Sequence, residues 1–255
     1  MSLPLEVAAM THPGKARLEN EDCIAADPRV GLAVLADGMG GHNAGEVASR
    51  MAVELAQTEL AVRLDAGRPL AAAGAEGLIA AYLARANTDL LAAARANPEY
   101  RGMGTTLVVA VWHAAGVSFG HVGDSRLYRL RGGALRLLTR DHSFVQEQVD
   151  RGELTPEQAR YAPNRNVLTR AIGIDPEVAA DVRTCASEAD DLYLLCSDGL
   201  TDMLTDDEIG EILAAASTLE AAAGRLVDLA NAHGGLDNVS VILARVPARA
   251  AERAA

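Results

Sequence analysis

The spacing of apolar and polar residues predicts many short strands, interrupted by two groups of helices. Apolar runs at 31–36, 117–123 and 192–197 are nearly unbroken, which is typical of strands buried on both faces. Further strands are predicted at 5–10, 23–26, 105–112, 125–131, 134–139, 178–184 and 239–246. Apolar residues at helical spacing predict two long helices over about 43–64 and 70–97, and shorter helices that start near 155, 205 and 218.

The short links between the strands over 105–139 determine the predicted fold class. Links of this length allow only antiparallel pairing of consecutive strands. Antiparallel strands with helices outside them predict an α+β fold, an α/β sandwich of two packed antiparallel β-sheets flanked by helix pairs. A doubly wound parallel sheet is the alternative, since it too places ligands at strand ends, but the series of hairpins disfavours it. We predict one domain over residues 1–247, with an exposed flap insertion at about 145–166 and a frayed tail at 248–255.

The charge and the cysteine content narrow the class of protein. The 255-residue chain carries 23 Lys and Arg against 35 Asp and Glu, a net charge of −12, which disfavours a nucleic-acid surface and suits a metal-binding protein. Its three cysteines have no paired spacing, so neither a disulfide framework nor a zinc knuckle is expected. No apolar stretch approaches the length that crosses a bilayer. We therefore expect a cytoplasmic protein without a membrane segment, and a monomer.

Four aspartates stand beside predicted strand ends. Asp37 follows the apolar run at 31–36, Asp124 and Asp198 end two other strands, and Asp237 precedes the last one. Taken singly, each is explained as a turn residue that bonds to its own backbone. In an antiparallel sheet, however, the start of one strand lies beside the ends of its neighbours, so all four acids could share one edge. Their recurrence at strand ends favours such a shared site.

Carboxylates gathered in this way need a counter-charge. Two of them about 4 Å apart repel by about 4 kcal/mol at an effective dielectric near 20, so a cluster must take up protons or bind cations. Ligands that are all oxygen suit Mg²⁺ or Mn²⁺ rather than zinc. Two such ions bridged by one aspartate would activate a shared water toward a phosphorus atom, which predicts a phosphoester hydrolase. Arg17, just before Glu21 and Asp22, is the candidate fork for the phosphate oxygens.

Six short motifs occur in a fixed order along the chain. They are Arg17-x-x-Asn20-Glu21-Asp22, Asp37-Gly-Met-Gly-Gly-His42, Gly102-Met-Gly-Thr-Thr106, Gly123-Asp-Ser-Arg126, Cys196-Ser-Asp-Gly199 and Asp237-Asn238-Val-Ser240. In this order they resemble the motifs of the PPM (PP2C) metal-dependent serine/threonine protein phosphatases, bacterial branch. The resemblance spans about residues 14–244.

The resemblance implies a fold and a pair of metal ions. The fold of the family is an antiparallel sandwich with flanking helices, as the strand pattern also predicts. Asp37 would bridge two Mn²⁺ or Mg²⁺ ions, and the Gly38 carbonyl would complete the first ion. Asp198 and Asp237 would hold the second.

The resemblance also implies supporting roles for Glu21, Asp22, Arg17 and Asp124. Glu21 and Asp22 would act near the ions, partly through water, and Arg17 would bind the substrate phosphate. Bacterial members often hold a third ion, for which Asp124 and Asp198 would be the ligands.

The group that protonates the leaving alkoxide is left open. Many eukaryotic members of the family carry a histidine directly after the Asp-Gly pair, where this chain has Met39. The candidates are His42, His142 beside the flap, and a metal-bound water.

Two patterns of other enzyme classes are weaker. The segment from Cys23 to Arg29 has the spacing of a cysteine phosphatase, but Pro28 lacks an N–H and Asp27 would repel phosphate. Ser125 lies in a Gly-Asp-Ser sequence like that of some serine esterases, but no histidine and aspartate at suitable spacing accompany it.

We therefore expect an enzyme that hydrolyses phosphoserine and phosphothreonine in proteins and opposes a bacterial Ser/Thr kinase. The expected partners are phosphorylated proteins, among them the kinase and its substrates. The flap is expected to steer these protein substrates. The alternatives are a small-phosphoester hydrolase and a non-catalytic regulator that binds metal or phosphopeptide on the same fold.

Overall fold

The computed structural model describes residues 5–41, 44–65 and 70–247. Their strands are β1 (Glu6–His12), β2 (Asp22–Asp27), β3 (Leu32–Met39), β4 (Gly104–Thr105), β5 (Leu107–His113), β6 (Gly116–Val122), β7 (Arg126–Arg131), β8 (Ala134–Leu137), β9 (Asp181–Cys185), β10 (Leu192–Cys196) and β11 (Val239–Arg245). Their helices are α1 (Ala44–Leu55), α2 (Ala61–Asp65), α3 (Ala72–Ala96), α4 (Phe144–Asp150), α5 (Pro156–Arg160), α6 (Asp198–Thr201), α7 (Asp206–Ala215) and α8 (Leu219–Ala232). A π-helical segment (Ala56–Leu60) joins α1 to α2, and a 3₁₀ turn (Pro98–Tyr100) follows α3.

The strands form two antiparallel sheets, which confirms the predicted sandwich. One sheet has the order β1-β11-β10-β7-β8, and the other has the order β2-β3-β5-β6-β9, with β4 paired to β3. Every ladder within the described residues is antiparallel, so the doubly wound parallel alternative is wrong. Two-residue turns join β5 to β6 and β7 to β8. Links this short cannot carry the chain to a parallel position.

The core occupies three layers: one between the sheets, and one between each sheet and its helices. Between the sheets, the buried Trp112 and Tyr193 rings meet edge to face with their centroids 5.4 Å apart. Helices α1 and α3 cover the six-stranded sheet, and α7 and α8 cover the five-stranded sheet. Each fully buried aliphatic or aromatic side chain stabilises the fold by about 1.5–3 kcal/mol. A core with few aromatic residues is therefore sufficient.

One connection departs from the predicted series of consecutive pairings. β6 belongs to the six-stranded sheet and β7 to the five-stranded sheet, so the chain changes sheets at residues 123–125. Gly123 has a φ of +103°, and an added Cβ would lie 2.7 Å from the Thr106 Cβ. This glycine turn redirects the chain and leaves Asp124 at the junction of the two sheets.

The flap contains two helices, α4 and α5, rather than the single helix that the sequence predicts. Helix α5 begins at the expected capping box of Thr155 and Gln158. Helix α4 begins after Ser143, whose hydroxyl accepts a hydrogen bond from the Gln146 N–H at 3.3 Å. The S-x-x-Q spacing of Ser143 and Gln146 is the signal for α4 that the prediction overlooked.

Several predicted features lie outside the described residues. They are the helix start at Asn43, the candidate acid His42, and the tail at 248–255. The boundaries of a single domain over 1–247 stay a prediction. Within 5–41, 44–65 and 70–247, no helix combines the length and the apolar character needed to cross a membrane.

Candidate metal centre

A cleft of about 220 Å³ opens where loops from the two sheets meet. Its lining includes seven of the predicted site residues: Arg17, Glu21, Asp37, Gly38, Asp124, Asp198 and Asp237. Asp37 belongs to β3 in the six-stranded sheet, whereas Asp198 follows β10 and Asp237 precedes β11 in the five-stranded sheet. The acids therefore come from the adjoining edges of two sheets, and not from one shared edge of a single sheet.

Asp22 and Asp37 are direct partners in the β2–β3 ladder. This register places two carboxylates side by side on one face of the sheet. The Asp22 Oδ2 accepts a hydrogen bond from the Ser197 hydroxyl at 2.8 Å, while its Oδ1 is buried and has no hydrogen-bond partner among the described residues. Burial raises the pKa of Asp22 to about 6.

Gly38 lets the backbone approach these acids closely. An added Cβ would lie 2.0 Å from the Gly45 carbonyl oxygen and 2.7 Å from the Glu21 carbonyl oxygen, so no side chain fits there. The Gly38 N–H donates to the Glu21 carbonyl at 3.1 Å. Burial raises the pKa of the Glu21 side chain, although the nearby Arg17 charge opposes the shift.

Asp198 and Asp124 lie at the junction of the sheets. Burial and then the negative charge of Asp124 raise the pKa of Asp198 well above its usual range. Burial and the charge of Asp141 raise the pKa of Asp124 to about 7. The Asp198 Oδ1 is buried without a hydrogen-bond partner in the part of the chain that the structure describes.

Asp37 lies where the negative charges of the neighbouring acids act together. Burial raises its pKa, and so do the charges of four neighbouring acids: Asp22, Asp198, Asp124 and Asp237. Buried carboxylate oxygens without partners are costly unless a cation or a proton meets them. Because the donors are all oxygen atoms, the cleft fits hard divalent cations such as Mn²⁺ and Mg²⁺.

Arg17 lies at the open side of the cleft. Its Nη2 donates to the Asp237 Oδ2 at 2.7 Å, and its side chain is 50% exposed. The other Asp237 oxygen accepts the Asn238 N–H at 2.8 Å. The guanidinium is therefore held beside the acids while it still faces solvent.

Comparison with known proteins identifies the family. A family model described as Protein phosphatase 2C matches residues 15–231. The chain belongs to this family. The resemblance carried by the six motifs is thereby confirmed.

Two relatives and one solved structure show how far this phosphatase 2C similarity extends. The chain is 38% identical over 240 residues to the serine/threonine phosphatase stp of Listeria monocytogenes, covering 91% of this chain and 92% of the relative. It is 40% identical to the serine/threonine protein phosphatase PstP of Mycobacterium tuberculosis, over 96% of this chain and 46% of the relative. The catalytic domain of PstP, solved in complex with two manganese ions, matches the fold with a TM-score of 0.83 at 38% identity, covering 97% of this chain and 100% of that one.

Thr106 supports this phosphatase 2C cleft, although the sequence argument assigned it no role. Its Oγ1 accepts the Asp37 N–H at 3.1 Å and forms a hydrogen bond with the Ser125 hydroxyl at 2.7 Å. One hydroxyl therefore ties the strand that carries Asp37 to the turn that carries Asp124. The position of Thr106 at the end of the third motif, Gly102-Met-Gly-Thr-Thr106, was the available signal.

Asn238 is a second supporting residue without a predicted role. Its Oδ1 accepts the Glu21 N–H at 2.8 Å, and its Nδ2 donates to the carbonyls of Pro13 at 3.0 Å and Glu19 at 2.8 Å. These bonds fix the loop that carries Arg17 and Glu21 against the start of β11. The Asp-Asn pair in the last motif was the available signal.

The structure separates the candidates for the general acid. His142 is 2% exposed and is absent from the lining of the cleft, and burial lowers its pKa to about 4. It is therefore not placed to donate a proton to a leaving group. Met39 lines the cleft, and His42 lies outside the described residues.

The two competing nucleophiles are also poorly placed. Cys23 lies within β2, and burial raises the pKa of its thiol. Arg29, the arginine at the end of that segment, donates to the Asp27 carboxylate at 2.7 Å. The Ser125 side chain is buried and bonded to Thr106. Neither side chain is arranged for nucleophilic attack.

A second group of metal-type ligands lies outside the cleft lining. His121, His142 and Asp181 offer ligand atoms within 4.8 Å of one another. However, the Gly123 N–H lies 3.2 Å from the His142 Nδ1, and the Arg170 Nη1 lies 3.2 Å from its Nε2. Both ring nitrogens of His142 thus face N–H donors, so this group does not fit a cation.

Proposed function

We propose that this chain hydrolyses phosphoserine and phosphothreonine in proteins with Mn²⁺ or Mg²⁺ as cofactor. The observation that carries the proposal is the crowding of acids around Asp37, where burial and mutual repulsion raise their pKa values beside Arg17. Membership of the Protein phosphatase 2C family supports it. So do the names of the relatives, which are serine/threonine phosphatases, and the two manganese ions of the PstP structure.

The oxygen donors around the cleft would hold two metal ions and, in addition, a third. Asp37, the Gly38 carbonyl, Asp198 and Asp237 would hold two ions, with Asp37 contributing to both. Asp124 and Asp198 would hold the third ion. Asp22 and Glu21 complete the set of donors, partly through water.

When bound, the ions supply an activated water nucleophile and positive charge for the phosphoryl oxygens. The protein's own contribution is to hold the donors still. The Asp37 backbone is fixed on both sides, since its N–H donates to the Thr106 Oγ1 at 3.1 Å and its carbonyl accepts the Thr106 N–H and the Thr105 hydroxyl, both at 2.8 Å. A carboxylate on a backbone fixed in this way needs little reorganisation during the reaction.

Arg17 binds the substrate phosphate in this proposal. A guanidinium donates two parallel hydrogen bonds to phosphate oxygens, which a single ammonium group does not. The existing bond to the Asp237 Oδ2 already holds the guanidinium at the mouth of the cleft. The phosphate therefore meets a cation that is oriented before it arrives.

The flap forms one wall of the entrance. Asn166 and Leu168, which follow the flap helices, line the same cleft as Asp37 and Asp198. The flanking residues of a protein substrate would therefore contact the flap, which supports its predicted role in steering.

We also propose that the protein opposes a Ser/Thr kinase, and that it acts as a cytoplasmic monomer. The free state of Cys23, Cys185 and Cys196 is in keeping with a reducing compartment. A non-catalytic regulator is disfavoured because every predicted ligand position carries an oxygen donor that lines the cleft or, in Asp22, belongs to the ladder partner of Asp37.

The test compares a phosphoserine peptide with p-nitrophenyl phosphate as substrates. We expect phosphate release from the peptide with Mn²⁺ present and none in excess EDTA. At saturating Mn²⁺, removal of residues 145–166 should slow the peptide reaction and leave the small-ester reaction similar. Hydrolysis that persists in EDTA would reject the metal mechanism, and hydrolysis of the small ester alone would favour a small-phosphoester hydrolase.

A further inference from the structure

His142 contacts both the stem of the flap and the turn that carries Asp124. We propose that His142 is a positioning residue that couples the two, so that the flap helps to determine how Asp124 is held for an ion. This coupling rests on the proposed function in one respect, since it takes Asp124 as a metal ligand.

The Gly123 peptide is held from two directions by His142. The Gly123 N–H donates to the His142 Nδ1 at 3.2 Å, and the Gly123 carbonyl accepts the His142 N–H at 2.9 Å. The His142 side chain is buried, so water does not replace these bonds. Because Gly123 makes the turn between the sheets, His142 fixes the direction in which the chain enters Asp124.

A second tie keeps the same two segments in register. The Arg126 Nη2 donates to the Asp141 Oδ2 at 2.7 Å, and its Nε donates to the Asp141 Oδ1 at 3.0 Å. Arg126 follows Asp124 by two residues, and Asp141 directly precedes His142. Asp124 therefore lies between two attachments to one segment of chain.

The same histidine anchors the stem of the flap. The His142 carbonyl accepts the Thr169 N–H at 2.8 Å, and the Phe144 N–H donates to the Val167 carbonyl at 2.8 Å. Ser143 pairs with Leu168 between them. These bonds form a short two-stranded stem beneath α4 and α5. A movement of the flap about this stem is therefore transmitted to the backbone of His142.

The surroundings of the ring define the chemical requirement. The Gly123 N–H can only donate, so the His142 Nδ1 must carry a lone pair toward it. The Nε2 lies 3.2 Å from the Arg170 Nη1 and 3.5 Å from the Asp181 Oδ2. Coupling therefore requires a neutral acceptor at the Nδ1 position. A side chain that keeps this acceptor should keep the coupling.

His113 provides a matched control. It is also a buried histidine, and its Nδ1 accepts a backbone N–H, from Ala115 at 3.2 Å. It ends β5, whose seven residues separate it from the Thr106 end of the strand. At about 3.3 Å per residue the two ends lie roughly 20 Å apart. Loss of its bond should therefore affect stability without reaching the flap.

The experiment uses the full chain and compares His142→Asn, His142→Gln and His113→Gln with the wild type. The Asn amide oxygen lies near the position of the imidazole Nδ1, whereas the longer Gln side chain carries its oxygen farther out. The readouts are hydrogen exchange at the Gly123 and Thr169 amides, trypsin cleavage at the exposed Arg151 of the flap, and the Mn²⁺ concentration for half-maximal phosphate release from a phosphoserine peptide.

For His142→Gln we expect faster exchange at both amides together, faster cleavage at Arg151, and a Mn²⁺ requirement about ten-fold higher, equivalent to about 1.4 kcal/mol. His142→Asn should restore all three readouts toward the wild type. His113→Gln should lower the free energy of unfolding and leave all three readouts unchanged.

The coupling is wrong if His142→Gln exposes the Gly123 amide while Thr169 and the flap behave as in the wild type. It is also wrong if His142→Asn and His142→Gln shift all three readouts from the wild type by equal amounts. If neither variant folds, the wild type alone decides: Mn²⁺ should slow exchange at Gly123 and Thr169 but not at Ala115, and uniform slowing would overturn the proposal. A wild type that exchanges as expected but releases no phosphate would reject the proposed function instead.

Discussion

The two ends of strand β10 carry aspartates with opposite environments. Asp191, just before the strand, is 1% exposed, and its two carboxylate oxygens accept hydrogen bonds from Arg131, both at 2.6 Å. Burial alone would raise the pKa of Asp191, but the bonds from Arg131 and from the Glu188 N–H hold it below its ordinary value. Asp198, just after the strand, keeps one buried oxygen without a partner among the described residues, and burial and neighbouring acids raise its pKa.

The difference separates a structural acid from a functional one. Asp191 has its counter-charge within the fold, so it contributes to stability without further ligands. Asp198 and its neighbours place several negative charges together without enough cations from the described part of the chain, which costs stability. Such a cost is expected where a site waits for a cation from outside.

The largest expected effect is a loss of activity when one acid of the metal cleft is neutralised. Asp37→Asn should lower the rate of phosphopeptide hydrolysis by more than about a hundred-fold, because residues that merely orient metal ligands already cost 10–100-fold when they are changed. In EDTA the same variant should unfold at a urea concentration at least as high as the wild type, since one repelling charge is gone. Asp191→Ala is the control, and its folded fraction should remain fully active. Equal loss of activity in Asp37→Asn and Asp191→Ala would contradict the distinction between functional and structural acids.

Asp191, the structural acid, should show the reverse pattern, a loss of stability without a loss of activity. Asp191→Ala should lower the free energy of unfolding by about 2–3 kcal/mol, because Arg131 loses charge-assisted hydrogen bonds in a partly buried position. Urea denaturation followed by circular dichroism measures this change. A loss of stability below about 0.5 kcal/mol would show that the Arg131 pair contributes little.

Arg17 combines features of both environments, since it is bonded to an acid, as Arg131 is, but lies at the open side of the cleft. Arg17→Ala should raise the KM for a phosphoserine peptide about ten-fold, roughly the value of one exposed charge-assisted contact, with a smaller change in kcat. Steady-state kinetics at saturating Mn²⁺ separate the two constants. A fall in kcat with an unchanged KM would contradict its role in binding the phosphate.

The smallest effect is the pH dependence of stability that Asp191 contributes. Its pKa is lowered in the folded protein, so its stabilisation is complete above the unfolded value of about 3.9 and is lost as the pH falls through the folded value. Urea denaturation between pH 3 and pH 6 should therefore show a steeper decline below about pH 4 in the wild type than in Asp191→Asn. Parallel curves for the two proteins would contradict this assignment.

The sequence predicted the parts of the site that single elements define. Asp37 and Asp198 were found because each follows an apolar run long enough to identify a buried strand, and the glycine after Asp37 marked a close approach of the backbone. The antiparallel sandwich followed from tight turns, which act locally.

The parts that the sequence did not predict depend on pairing between distant segments. The register that sets Asp22 opposite Asp37 depends on how β2 aligns with β3. The bond from Thr106 to Ser125 requires the chain to cross from one sheet to the other at Gly123. No spacing along the sequence encodes that crossing, because a glycine turn fits equally well in an ordinary hairpin.

Direct counting of bound Mn²⁺ tests the central claim, that the buried acids bind cations which the fold itself does not supply. Chelator-treated protein would be titrated with Mn²⁺ while the free ion is followed by electron paramagnetic resonance, for the wild type, Asp37→Asn and Asp191→Asn. We predict two or three ions per chain for the wild type and for Asp191→Asn, and fewer for Asp37→Asn. Equal binding by all three proteins, or no binding by the wild type under conditions where it releases phosphate, would contradict the account.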